Sequence, residues 1–309
     1  MKYINSYKMF DHLLILEENN QLSAREEKIG ALLHLYGSIP LSKEKASVVI
    51  SKIIKNSRPE GFFDLYDTTN VIIPWNKLHD KLRFADYFDS LLSSKDIRGH
   101  NFEGLVAGLF GGELTKRGSR ADVIIGDTSW SVKFLNSGSE NPVLGSVKSS
   151  LTPKLQSRVE NEYNSIYDLF IGDDFELKHN VFNAAFGNIT GFIIAYPNST
   201  NTEIHVNIVY FETMRDIVCG GGVVKPKNKN DFWSLRVNKS YKMEKPMIIS
   251  IPTISDSEIS TLLNKTNQRW AEMVFGREIA RRMRPDVIED IISNSKEISS
   301  RMDRMSKDN

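Results

Sequence analysis

The sequence predicts an α/β (α+β) protein: a mixed β-sheet core flanked by helices, with a mostly helical N-terminal region and a C-terminal helical pair. Three observations predict it. A helical run at 96–112 ends at Gly111-Gly112 and is followed by three short strand-like stretches, ELTKRG, ADVIIG and SWSVKFL. A second helix then precedes a clear hairpin, TGFIIAYP and EIHVNIVYF, around the loop NSTNT. From Ser255 onward the spacing is helical nearly to the end. A three-stranded meander, a helix and further strands make a mixed sheet with helices packed on it.

The elements follow in order. Phe10, Leu13, Leu14 and Leu16 cluster apolar side chains, and Ser23 with Glu26 three positions on matches a capping box that opens a helix ended by Gly37 and Pro40. A helix begins again at Ser42, 62–75 is β-rich between Gly61 and Pro74, and 77–94 returns to helical spacing. Residues 141–170 read as a loop leading into a helix whose first turn holds Pro153. FETMRDIV is a short helix, CGGGVVKPKNKND a Gly- and Lys-rich loop, and FWSLRV and PMIISIP are strands. Two final helices join at Arg284-Pro285. The organisation is therefore an accessory domain at 1–95, a core at 96–255 and closing helices at 256–309.

Composition excludes several classes. The 40 Lys and Arg against 39 Asp and Glu leave a net charge of +1, so a uniformly basic nucleic-acid coat is excluded and any such binding uses a local patch. A single cysteine, Cys219, excludes an internal disulfide and a cysteine zinc cluster. The histidines show no HxxxH or HExxH spacing, and GGG at 220–222 lacks the Lys-Ser/Thr ending of a phosphate loop. Asp11 and His12 interrupt what would be a signal-peptide core, and no apolar run reaches membrane-span length. These features are expected of a soluble, cytoplasmic protein.

The chemistry concentrates in GSRADVIIGDTSWSVKF, residues 118–134. Asp122 interrupts one apolar run and Lys133 the next. Side chains alternate along a strand, so Asp122 and Ile124 share a face, as do Ser131, Lys133 and Leu135. A turn centred on Asp127-Thr128 makes residue 122 face 133 and 124 face 131, with the Asp122 and Lys133 Cβ atoms about 5 Å apart. Val123, Ile125, Trp130, Val132 and Phe134 form the core face. Glu103 sits at the boundary of the apolar face made by Phe102, Leu105, Val106, Leu109 and Phe110, with His100 one turn before it. Such a group suits a divalent metal: Asp122 as central ligand, Glu103 bound directly or through water, the Val132 backbone carbonyl as a further oxygen, and Lys133 serving the attacking water and the phosphate. The Asp122–Lys133 pair alone equally suits a plain cross-strand ion pair.

Glu103, Asp122 and Ser131-Val132-Lys133, in a helix–strand–strand–strand–helix frame, resemble the PD-(D/E)xK nuclease superfamily. The resemblance spans roughly 96–211. It implies a restriction-endonuclease-like core, Mg²⁺ (or Mn²⁺) as cofactor, DNA as partner and metal-dependent hydrolysis of a phosphodiester. It casts Glu103 as the helix glutamate, Asp122 as the motif aspartate and Lys133 as the motif lysine. Ser131 stands where the second motif acid belongs, with Glu103 as the compensating carboxylate. Lys116, Arg117, Arg120, Lys148, Lys154 and Arg158 surround the segment and suit phosphate contacts. Ser131 and the flanking regions motivate a second expectation: a non-catalytic DNA-binding protein, or a phage virion or packaging component, on the same scaffold. Homo-oligomers and phage virion partners stay open.

Overall fold

The computed structural model describes residues 43–57, 61–75, 77–93, 98–116, 119–226 and 231–294, which form a mixed α/β architecture. The helices expected around 10–16 and 23–37, Arg117, Lys227 and Lys229 lie outside the described residues. The chain divides into two compact units, one drawn from 39–76 and 87–252, the other including 77–86 and the chain from 253 onward.

The larger unit contains α1 (Lys43–Ser57), β1 (Asn70–Val71), α3 (Arg98–Leu109), β2 (Glu113–Leu114), β3 (Val123–Ile125), β4 (Thr128–Phe134) and β5 (Val143–Ser146). It continues with α4 (Pro153–Glu162), α5 (Ile166–Ile171), α6 (Phe175–Phe186), β6 (Gly191–Pro197), β7 (Glu203–Tyr210), α7 (Phe211–Cys219), β8 (Ser234–Arg236) and β9 (Met247–Ser250). Helix α2 (Leu78–Ser93) contributes residues to each unit. Among the described residues seven strands make one curled sheet in the order β1-β9-β7-β6-β4-β3-β2, and β5 pairs with β8 in a second, two-stranded sheet. β4 and β6 run parallel, as do β1 and β9; the remaining pairs in the large sheet are antiparallel. Both α1 and β1 come from the segment read from sequence as accessory, and β1 sits at an edge of this sheet.

Helices cover both faces. On one, α3 buries Phe102, Leu105, Val106 and Leu109, the i, i+3, i+4, i+7 stripe of an amphipathic helix. The Phe102 ring meets Phe134 of β4 at a centroid distance of 5.0 Å. On the other, Leu135 and the β6 side chains Phe192 and Ile194 pack against Leu177, Val181, Phe182 and Phe186 of α6 and Met214 and Val218 of α7.

Where a single helix was expected between the meander and β6, three occur. Each begins at its own cap: the Thr152, Ser165 and Asp174 side chains accept from the backbone N–H of Leu155, Asp168 and Leu177. Pro153 occupies the first turn of α4. The expected loop at 141–152 contributes β5, because Val143, Gly145 and Ser146 find a partner strand in β8, far along the chain.

In the smaller unit, α8 (Asp256–Phe275) opens with a full capping box between Ser255 and Glu258. Glu258 also receives Lys81 Nζ at 2.7 Å, and Leu82 packs with Ile254, Ile259 and Leu262. The first of the two expected closing helices breaks at Gly276, whose φ of +84° suits glycine, giving the short α9 (Arg277–Ala280); the second begins at Pro285 and is described to 294. Among the described residues no helix is long and apolar enough to cross a membrane.

The seating of α3 depends on two small residues. A Cβ on Gly104 would collide with the backbone carbonyl of Ser47 in α1, and one on Gly108 would lie 2.9 Å from Ile54 Cβ. Alanine favours a helix over glycine by about 1 kcal/mol. The collision with rigid backbone reverses that preference, so Gly104→Ala lowers the unfolding free energy by about 1–3 kcal/mol in urea titrations. Gly99→Ala on the same helix meets nothing within 4 Å and is neutral or slightly stabilising in the same measurement.

Candidate active site

The site is built where β3 leaves β4. The strands are joined by the two-residue turn Gly126-Asp127, with positive φ (+56°) at Gly126 and not at Asp127, as in a type II′ hairpin. The ladder pairs Val123 with Trp130, Ile124 with Ser129 and Ile125 with Thr128. This differs from the expected register: extended one step, it sets Asp122 level with Ser131 instead of Lys133. The displacement is an even number of positions, so the grouping of Val123 with Trp130 on the core face is unaffected.

Asp122 also departs from the ladder. Its N–H donates to the Trp130 carbonyl at 2.8 Å, although Trp130 already pairs with Val123. Two residues of one strand thus oppose one of the other, which is a bulge. Thr115, just beyond β2, pins the bulge: its N–H donates to the Asp122 carbonyl at 3.1 Å and its hydroxyl to the Ala121 carbonyl. Past this point the edge of β4 meets side chains where backbone had been. The Val132 N–H donates to Asp122 Oδ2 at 2.7 Å, and the Val132 carbonyl accepts from Lys133 Nζ at 3.1 Å. A strand's N–H lies in the plane of the sheet, so the carboxylate sits in the fork between strands, and not above one face as the sequence suggested.

Asp122 Oδ2 collects two further donors, the Ser131 hydroxyl at 3.1 Å and Lys133 Nζ at 3.3 Å. Among the described residues Oδ1 has no hydrogen-bond partner. Ser131 is buried and its hydroxyl is committed to Asp122. From α3, Glu103 Oε2 pairs with His100 Nδ1 at 3.1 Å. Burial raises the Glu103 carboxyl above the ordinary carboxylate range, and the nearby Asp122 charge raises it further; His100 and Lys133 pull the other way. Glu103, Asp122, Ser131, Val132 and Lys133 therefore form one electrostatically linked group.

The surrounding basic residues are placed differently. Lys116 and Lys154 are exposed and make no ion pair among the described residues. Arg120 is half-buried over the Phe186 ring and donates to the Ser146 carbonyl and the hydroxyls of Ser149 and Ser150. Lys148 pairs with Glu160 at 3.4 Å and lies over Trp233. Arg158 is held by Glu162 and, at 2.7 Å, by Asp174. Gln156 donates to the carbonyls of Lys148 and Leu151 and serves the loop before α4. The roles of Thr115, Ser149 and Ser150 were not read from sequence. They depend on the bulge and the loop geometry, and short hydroxylated residues carry no pattern that signals either.

Among the described residues no group of three or more His, Cys, Asp or Glu gathers to hold a metal. The donors present are two carboxylates, Asp122 and Glu103, and the Val132 carbonyl. Oxygen donors of this kind would suit a hard divalent ion that keeps several waters. Comparison of the chain with family models, curated proteins and solved structures finds no match.

The raised Glu103 carboxyl has a measurable consequence. The folded state holds that proton to higher pH than the unfolded chain, so this residue's contribution to stability falls as pH rises through the interval above the ordinary carboxylate value. In chelated buffer Glu103→Gln therefore gains on the wild type in melting temperature as pH rises above the ordinary glutamate value of about 4.3. The two converge at low pH, where both side chains are neutral.

Proposed function

We propose that the protein is a metal-dependent endonuclease of the PD-(D/E)xK type, cutting DNA by phosphodiester hydrolysis. The observation that carries this reading is the position of Lys133 Nζ at the strand fork, 3.3 Å from Asp122 Oδ2 and 3.1 Å from the Val132 carbonyl, with the Asp122 charge helping to raise the Glu103 carboxyl. The topology supports it. α3 precedes the meander β2-β3-β4, helices follow, and β6 lies parallel to β4, an element order in keeping with a restriction-endonuclease-like αβββαβ core.

Each residue then has a role. Asp122 would hold Mg²⁺ or Mn²⁺ through its carboxylate, with Glu103 and the Val132 carbonyl completing the oxygen set. The bound ion supplies Lewis-acid polarisation of the phosphate and lowers the pKa of its water. Lys133 donates to a phosphoryl oxygen and orients the attacking water. Ser131 fixes the Asp122 carboxylate through its hydroxyl. Lys116 and Lys154 are the exposed cations best placed in the sequence to meet flanking phosphates.

Ser131 favours a second reading. With a buried hydroxyl in place of an acid, the same scaffold would bind DNA or serve as a virion or packaging component without cutting. A supercoiled-plasmid assay with Mg²⁺ or Mn²⁺ separates the two. The nuclease reading expects nicking by the wild type that falls about a hundredfold or more in Asp122→Ala and Lys133→Ala. Equal cutting by all three, or none by any, removes the catalytic claim.

A further inference from the structure

Resting on that reading, we infer that Lys133 is the resident cation of the fork and that a divalent ion binds by displacing it. The Lys133 ammonium lies 3.3 Å from Asp122 Oδ2 and 3.1 Å from the Val132 carbonyl oxygen. The Val132 carbonyl oxygen and the Asp122 carboxylate, to which Oδ2 belongs, are both assigned to the metal. A divalent ion bonded to either oxygen would stand against a like charge at close range, in a pair only about a quarter exposed on each side (26% and 23%). Two cations at such a distance repel strongly where solvent is partly excluded. The ammonium must therefore leave before or as the metal enters.

The side chain can make that move. Lys133 stands on a four-carbon stem with freely rotating bonds, and its charge is a compact point instead of a planar fork. In the resting protein the ammonium performs two tasks. It neutralises Asp122, and it satisfies the Val132 carbonyl that faces the side-chain end of the fork. When displaced, it remains tethered beside the site, where a phosphate oxygen on the metal is the nearest anion. One lysine thereby closes the empty site and serves the occupied one. Removing it acts twice in the same direction: the competitor disappears, and the metal-free state loses its compensation.

The test is isothermal titration calorimetry with MnCl₂ on the full chain, without nucleic acid, so that binding is read apart from activity. Lys133→Met is expected to bind Mn²⁺ about three- to tenfold more tightly than the wild type, the scale of a partly exposed ion pair. Lys133→Gln guards against a folding artefact and should tighten in the same sense, with far-UV circular dichroism unchanged. Lys133→Arg, which keeps the charge, should stay near the wild type, and Asp122→Asn should abolish binding. Binding by the wild type alone, or equal or weaker binding in Lys133→Met and Lys133→Gln with Asp122→Asn silent, overturns the displacement and leaves the metal site standing. Lys133→Arg as tight as Lys133→Met also overturns it, since charge is then not the cause. Mn²⁺ bound by none of the proteins overturns the displacement and the metal-site reading together.

Discussion

The hydrogen bond from the Val132 N–H to Asp122 Oδ2 is the constraint on which the site depends. In a continued ladder that N–H would belong to the backbone of β3, and the carboxylate would have no reason to enter the plane of the sheet. The bulge at Asp122 ends the pairing one residue early, and an unpaired backbone group at that depth is costly. The carboxylate of the residue that causes the break repairs it. The rest of the fork is built on it: Ser131 steadies the same oxygen, Lys133 takes the adjacent carbonyl, and Oδ1 has no hydrogen-bond partner among the described residues.

Helix α3 brings the second acid by a different means. Gly104 and Gly108 let it settle against α1, while Phe102 locks onto Phe134 of the sheet. Glu103 is the neighbour of both anchors in sequence, so its backbone has little freedom to withdraw from Asp122. There, burial and the Asp122 charge together raise the Glu103 carboxyl above its ordinary value. Such arrangements are expected where groups are kept for chemistry and not for stability.

Much of this was legible in the residues. The alternation in ADVIIG and SWSVKF identified the β3–β4 hairpin, and the 190–211 hairpin was read to within a residue at each end. Register was not, because the turn was centred on Asp127-Thr128, whereas the chain centres it one residue earlier, on Gly126-Asp127, with the glycine taking the positive φ. The even displacement explains why Trp130, Val132 and Val123 still grouped correctly while the partner of Asp122 changed. The bulge was illegible because it comes from where β2 and Thr115 hold the chain, which no local pattern records. Contacts over long sequence separation, such as β5 with β8 or β1 with β9, were hidden for the same reason. The basic residues show the converse: their positions were plain, but whether each is free or held by Glu160, Glu162 or Asp174 depends on the helices α4 and α6.

The central claim is that the strand fork is a divalent-cation site with Asp122 at its centre. The most direct measurement is a crystal structure of the wild type soaked in Mn²⁺, with the ion located by its anomalous signal. The account predicts a peak within bonding distance of the Asp122 carboxylate and the Val132 carbonyl, about 2.0–2.6 Å from each oxygen, with Lys133 Nζ turned away from both. An anomalous map empty at the fork, with Lys133 still bridging Asp122 and Val132, would contradict it.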